Sequence, residues 1–259
     1  MNLTSLADAL FQARLSASPV EPLTAQFPGI TIGNAYSVSE INLKRRLEQE
    51  GLTLVGKKIG LTSRAVQKQL GVEEPDFGYL TSDMKISSGG SLSRAKLLLP
   101  RVEGEVAFVL KSDLIGPGIT MQDVIHATDY ILPSIEIIDS RVRDWKIKIQ
   151  DTIADNASSS HFVLGTEKHS LSSLDLTLAK MSLKINGEIL STGTGAACLD
   201  HPCLAVAWLA NALGKFGVAL KAGEVILSGA FGPVMPVKAG DRVDVEIAGL
   251  GNVHCFFGE

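Results

Sequence analysis

Cysteine is scarce in this chain. There are three, Cys198, Cys203 and Cys255, an odd number with no paired Cys-x-x-Cys spacing. That argues against a disulfide framework or a thiolate zinc site and points to incidental, buried thiols in a reducing compartment, the cytoplasm. A basic surplus is also missing: the formal net charge is −4, with both signs interspersed along the sequence. No positive stripe is there to neutralise nucleic-acid phosphates, so nucleic acid is excluded as a partner. No apolar run approaches the roughly 18 residues that cross a bilayer, which argues against a membrane span. The opening MNLTSLADALFQARL carries Asp8 inside its apolar stretch and has neither a basic start nor a cleavage-like end. It reads as an amphipathic helix rather than a secretory signal. Internal repeats and low-complexity segments are absent too.

What remains is a chain of 259 residues, 45% hydrophobic and 20% charged, able to bury a large core. Its first part, residues 1–52, reads as helical. Residues 3–15 are amphipathic, and residues 34–50 follow Gly33 with apolar positions at Ala35, Val38, Ile41 and Leu47 before the helix stop at Gly51. Over residues 53–259 the texture changes to short β-like runs at 53–55, 102–110, 130–138, 178–185, 224–228 and 241–248. Turns bearing Gly and Pro separate them, and helices are expected at 120–128 and 202–216. The fold class is α+β, a helical N-terminal region followed by a largely antiparallel β body, without the regular alternation of a doubly wound sheet. The glycine-rich run Ser191-Thr192-Gly193-Thr194-Gly195-Ala196 lacks the strand-turn-helix grammar of a dinucleotide site.

The segment Pro100-Arg101-Val102-Glu103-Gly104-Glu105-Val106-Ala107-Phe108-Val109-Leu110 carries the most chemistry. In a strand, Glu103 and Glu105 share a face, and two carboxylates side by side repel unless water or a cation screens them. A solvated strand face is the bland alternative. Against it, Gly104 bares the opposite face to some other segment or ligand, and the strand runs on as a solidly apolar stretch. Glu136, between Ile135 and Ile137 in a second apolar run, needs a partner if buried. Either a salt bridge to Arg141 or Arg101 or a metal would serve. Three glutamates form an all-oxygen set suited to Mg²⁺ or Mn²⁺.

Several motifs, in order along nearly the whole chain, resemble the 2-hydroxypenta-2,4-dienoate hydratases of aromatic-ring catabolism. They are Gly56-Lys57-Lys58-Ile59-Gly60-Leu61-Thr62-Ser63, Glu74-Pro75-Asp76-Phe77-Gly78, the Glu103/Glu105 strand and Pro133-Ser134-Ile135-Glu136. Ser140-Arg141-Val142-Arg143-Asp144-Trp145, Asp155-Asn156-Ala157-Ser158 and Ser228-Gly229-Ala230-Phe231-Gly232-Pro233 complete the set. The group lies within the fumarylacetoacetate hydrolase superfamily, with 4-oxalocrotonate decarboxylase and 2-oxohept-4-ene-1,7-dioate hydratase as neighbours. The resemblance implies a mixed β-sandwich roll assembled into homo-oligomers, with possible association with a neighbouring pathway enzyme. It implies a divalent metal on Glu103, Glu105 and Glu136, and catalytic roles for Lys58 and Asp76. The implied reaction is addition of water to 2-hydroxypenta-2,4-dienoate or a close homologue, giving 4-hydroxy-2-oxopentanoate.

Without the resemblance, Lys58 reads as a surface cation beside Lys57, and Asp76 as a turn former after Pro75. A lysine partly desolvated near a metal is expected to have a lowered pKa. Arg141, Ser158 and Ser160 are candidates for binding the anionic substrate, with Arg143 and Ser159 beside them; a solvated loop is the alternative for the serines. His161 and His201 read as structural. Asp76 and the Arg143-Asp144-Trp145 run favour a hydratase over a decarboxylase, and the Lys-Ile-Gly-Leu-Thr motif opposes a C–C bond hydrolase. Intact Lys58, Asp76 and glutamates oppose a non-catalytic scaffold.

Overall fold

The computed structural model describes residues 1–64, 67–68 and 72–259. The N-terminal region folds into α1 (Leu3–Ser16), α2 (Leu23–Gln26) and α3 (Ile32–Gln49). Asn2 caps α1 by accepting from the Thr4 and Ser5 amides. The third helix starts two residues earlier than the sequence pattern implies, because Thr31 and Asn34 form a reciprocal capping box at its entry. Leu6, Leu10, Leu23, Ile30 and Val38 pack together with Val142, Ile153 and Ala154. The N-terminal helices thus share an apolar cluster with the segment that follows the second glutamate strand.

The strands are β1 (Leu54–Gly60), β2 (Asp76–Thr81), β3 (Lys85–Ile86), β4 (Ser91–Ser93), β5 (Arg101–Leu110), β6 (Thr128–Ile138), β7 (Ser159–Leu164), β8 (Lys180–Ile185), β9 (Glu188–Thr194), β10 (Val225–Leu227), β11 (Met235–Pro236), β12 (Arg242–Ile247) and β13 (Gly251–Gly258). Among the described residues they form two sheets. One has the order β2-β1-β10-β5-β6-β7-β3 with β11 added against β5, and the other has the order β4-β13-β12-β8-β9. Pairing is mostly antiparallel, with parallel contacts at β1–β10, β3–β7 and β4–β13. The helices α4 (Met121–Ala127), α5 (Ile149–Ala154) and α6 (Pro202–Gly214) complete the elements used below. The window Gly195–Gly214 is long and apolar enough to pass as a membrane span by composition. It contains α6, a core helix with Cys203, Val206, Leu209 and Leu213 buried.

Side-chain parity divides the first sheet into two faces. Val102, Val106, Phe108, Ile135 and Ile137 join Met181, Leu183, Val243, Val245 and Val253 of the second sheet in one core. Gly104 sits on this face, where an added Cβ would lie 3.0 Å from both Met181 Sδ and Val245 Cγ1. The segment that approaches Gly104 is therefore the second sheet. On the opposite face, Leu80, Met84, Ala107, Leu132, Phe162 and Leu227 form an apolar cluster. Further along the same strands, on that same face, stand Asp76, Glu103, Glu105 and Glu136.

Candidate active site and metal centre

Strand register brings the glutamates together. Glu103 on β5 lies directly opposite Glu136 on β6, and Glu105 lies opposite Ser134. One carboxylate oxygen from each of Glu103, Glu105 and Glu136 lies within 4.8 Å of the others. Glu105 and Glu136 have no exposed surface. Such a cluster is costly as free carboxylates, since burial and mutual repulsion both disfavour charge. Burial, reinforced by Glu136, pushes Glu103 up to about 7. Burial, with Glu136 and Glu103 adding to it, raises Glu105 well above the ordinary carboxylate value. Burial also raises Glu136, opposed by Lys58 and Ser159.

Each buried glutamate has one oxygen held and one left over. The Gly229 amide donates to Glu105 Oε2 at 2.8 Å, and Ser159 Oγ donates to Glu136 Oε1 at 2.9 Å. Glu105 Oε1 and Glu136 Oε2 accept no hydrogen bond. Orphaned buried carboxylate oxygens, oriented by protein donors on their other side, fit a hard divalent cation with oxygen ligands. The sequence alternatives resolve accordingly. The glutamates do not lie on a solvated strand face, and the cation nearest Glu136 is neither Arg101 nor Arg141. It is Lys58, whose Nζ lies 3.3 Å from Glu136 Oε2.

Lys58 is 3% exposed and Asp76 1% exposed, so neither the surface-cation nor the turn-former reading holds. They stand on adjacent strands, with Asp76 opposite Gly60 and Lys58 opposite Gly78. A Cβ on Gly60 would lie 2.1 Å from Asp76 Oδ1 and 3.2 Å from Lys58 Nζ, so the glycine of the Lys-Ile-Gly motif leaves the room in which the two groups converge. With no cation on the glutamates, burial pulls the Lys58 pKa down, but Glu136, Asp76, Glu103 and Glu105 together outweigh burial and lift it above the ordinary lysine value. The lowering expected beside a metal concerns the state in which those carboxylates are neutralised. Burial pushes Asp76 up to about 6 against the opposing charge of Lys58, and Asp76 Oδ1 has no hydrogen-bond partner. Lys57 points to the other face, where its ammonium donates to both oxygens of Glu224 at 2.7 Å.

Arg141, Ser158 and Ser160 have their polar groups committed elsewhere. Arg141 pairs with Asp155 through Nε and donates to the carbonyls of Asp139, Ser159 and Asp155. Ser158 Oγ lies 3.2 Å from Thr152 Oγ1, and Ser160 Oγ lies 2.8 Å from His161 Nδ1. Arg141 and Ser160 line a cavity of about 560 Å³ beside α1 and α3, whose lining includes none of Lys58, Asp76, Glu103, Glu105 and Glu136. Arg143 pairs with Glu21 at the surface. The serine that reaches the glutamates is Ser159, brought there by a turn in which Asn156, Ala157 and Ser158 all have left-handed φ of 51–56°. Asn156 braces that turn on β2, accepting from the Tyr79 amide and donating to the Tyr79 carbonyl. His201 caps α6 through Nδ1, and burial lowers His161 to about 4, leaving it neutral.

A family model described as fumarylacetoacetate (FAA) hydrolase C-terminal matches residues 54–256. A 2-hydroxyhexa-2,4-dienoate hydratase from Comamonas testosteroni is 50% identical over 252 residues, 96% of this chain and 95% of that protein. A 2-keto-4-pentenoate hydratase from Paraburkholderia xenovorans (strain LB400) is 47% identical over 251 residues, 97% of this chain and 93% of that protein. Among solved structures, 4-oxalocrotonate decarboxylase from Pseudomonas putida G7, complexed with magnesium and adipate, superposes with a TM-score of 0.95 at 39% identity. That match covers 98% of this chain and 97% of the other.

Proposed function

Because this chain belongs to the fumarylacetoacetate hydrolase family, we propose that it is a metal-dependent hydro-lyase converting 2-hydroxypenta-2,4-dienoate, or a close homologue, to 4-hydroxy-2-oxopentanoate. The observation that carries the reading is the convergence of Lys58 and Asp76 beside the three-glutamate cluster, in a chain whose relatives at 47–50% identity are named as dienoate or pentenoate hydratases. Glu103, Glu105 and Glu136 hold the metal, Mg²⁺ or Mn²⁺. When bound, it supplies positive charge that polarises the 2-oxygen end of an enol acid.

The protein's own groups carry the protons. Conversion of the dienol moves a proton from the enol oxygen to C5. Water then adds with its oxygen at C4 and a proton at C3. Lys58, 3.3 Å from Glu136, is the proton donor to carbon. Asp76, with its unpartnered Oδ1 and a pKa pushed up to about 6, accepts the proton of the attacking water. Ser159 fixes Glu136 and the Gly229 amide fixes Glu105. Arg141 and Ser158 serve substrate binding indirectly, by holding the turn that presents Ser159.

The reading extends to a cytoplasmic homo-oligomer, with residues 53–259 carrying the chemistry and residues 1–52 bracing it. Three buried free cysteines suit a reducing compartment, and exposed Ile115, Leu178 and Phe216 suit subunit contacts or a neighbouring pathway enzyme. Decarboxylation of 4-oxalocrotonate is the second reading, favoured by the close structural match. An ultraviolet assay separates the two. Hydratase activity consumes the dienol absorbance of 2-hydroxypenta-2,4-dienoate only when Mg²⁺ or Mn²⁺ is added and yields 4-hydroxy-2-oxopentanoate. Release of CO₂ from 4-oxalocrotonate with no hydration would replace this reading by the second.

A further inference from the structure

The face of the first sheet that bears the glutamates is filled at one end by Leu80, Leu132, Phe162 and Leu227. The site occupies the other end, where β1 finishes at Gly60, β6 at Ile138, and β2, β5 and β7 begin at Asp76, Arg101 and Ser159. Arg101, the first residue of β5, stands at this end of the sheet. Arg101 lies two residues before Glu103 on the same face, opposite Ile138 on β6 and Pro236 on β11. Among the described residues its side chain makes no ion pair and donates no hydrogen bond. The other cations near the site are committed: Lys58 to Glu136, Lys57 to Glu224, Arg141 to Asp155 and Arg143 to Glu21.

Arg101 is nonetheless held in place. Its Cζ lies 4.5 Å from the ring centroid of Trp145, a cation–π contact that leaves the edge donors of the guanidinium available. The ring is fixed in turn, because Trp145 Nε1 donates to the Leu99 carbonyl at 2.9 Å. Its backbone is strained to put it there. Asp144 and Trp145 both have φ of 56°, a left-handed conformation that costs on the order of 1–3 kcal/mol for a residue other than glycine. The preceding residues are tied to the N-terminal segment by the Val20–Val142 bridge and the Arg143 amide donating to the Val20 carbonyl. A strained, anchored aromatic carries an unpaired guanidinium two residues along the same strand face from Glu103.

We propose that Arg101, presented on the Trp145 ring, receives the carboxylate of the incoming 2-oxo acid or dienoate and governs its capture. The charge balance favours such a group. Three carboxylates of glutamate, Asp76, Lys58 and a divalent ion leave the site formally negative, so a further cation beside it helps to attract an organic anion. The nature of the substrate rests on the hydratase reading; the capture of a carboxylate does not.

The test uses the full-length protein loaded with Mn²⁺ and a saturated, unreactive probe, 2-oxopentanoate, followed by calorimetry, alongside steady-state hydration. Arg101→Gln raises both the probe's dissociation constant and KM by roughly ten-fold or more, as expected for a lost charge-assisted contact, and leaves kcat close to that of the wild type. Arg101→Lys recovers part of the loss. Trp145→Leu, which removes the aromatic face, weakens binding about three-fold, and Trp145→Phe, which keeps a face but loses the Nε1 anchor, weakens it less. The fall of kcat/KM with ionic strength flattens in Arg101→Gln. Unchanged probe affinity in Arg101→Gln, or loss of Mn²⁺ affinity and thermal stability in place of probe affinity, overturns the proposal. Probe binding that depends on Arg101 in a protein that hydrates no dienoate would sink the hydratase reading and leave this one standing.

Discussion

Glu103 and Glu136 face one another as a direct cross-strand pair on β5 and β6, two acids where sheet packing favours opposite charges or apolar partners. Without a cation the pair must take up protons: burial first, and the facing charge of Glu136 second, push Glu103 up to about 7. A folded-state pKa above the unfolded value means that the folded protein binds more protons than the unfolded chain between the two values. Stability of the metal-free protein therefore falls as pH rises from about 4.5 to about 7. Mg²⁺ or Mn²⁺ displaces those protons, so metal affinity rises across the same window. Thermal melts at pH 5 and pH 7, with and without metal, check both signs: the stabilisation by metal is larger at pH 7.

Gly60 and Asp76 supply a sharper test. A methyl group on Gly60 would fall 2.1 Å from Asp76 Oδ1, so Gly60→Ala displaces the carboxylate. Moving a catalytic group by about 1 Å costs about 100-fold in rate. The expected outcome is a loss of kcat of that order with metal binding retained, read from the same dienoate assay and a Mn²⁺ titration.

Replacing Lys58 by Ala or Asp76 by Asn removes a proton-transfer group, for an expected loss of about 10²–10⁴ in kcat with the fold and the metal retained. The wild-type rate also falls on the acid side as Asp76 protonates, with an apparent pKa near 6. With metal kept saturating at every pH, the Asp76→Asn variant has no such limb in whatever rate remains. A normal rate in either variant removes that residue from the mechanism.

Ser159 is distinguished from its neighbours by its bond to Glu136 Oε1. Ser159→Ala weakens Mn²⁺ binding by about 10–100-fold, the range for losing a group that orients a metal ligand. Ser160→Ala, bonded to His161 instead, leaves Mn²⁺ affinity unchanged. Calorimetric titration of the two variants side by side makes the comparison.

Much of the site was legible beforehand because strand parity is a strict rule: Glu103 and Glu105 had to share a face, and a glutamate between two isoleucines had to find a partner. Lys58 and Asp76 were legible from their motifs; as single residues they read as surface features. The choice among Ser158, Ser159 and Ser160 was not, because the β6–β7 register shifts between Ile137 and Ile138 and three left-handed residues precede β7. Local pattern carries no trace of either. The partner of Arg141 depends on a buried contact with Asp155, fourteen positions away. The strands β2 and β7 escaped notice because the polar residues that begin them are buried around the site. α5, six residues long, is too short to display a helical period.

The apolar cluster of Leu80, Leu132, Phe162 and Leu227 shares the sheet face with the charged groups. In the strand register Leu227 lies opposite Lys58 and Phe162 opposite Glu136. The ammonium and the carboxylates therefore stand beside hydrocarbon, a weakly polarisable flank that strengthens every charge interaction next to it. Trimming one of these side chains to alanine would let water soften those charges without removing a single polar group, so residues that take no part in the chemistry help to set its electrostatics.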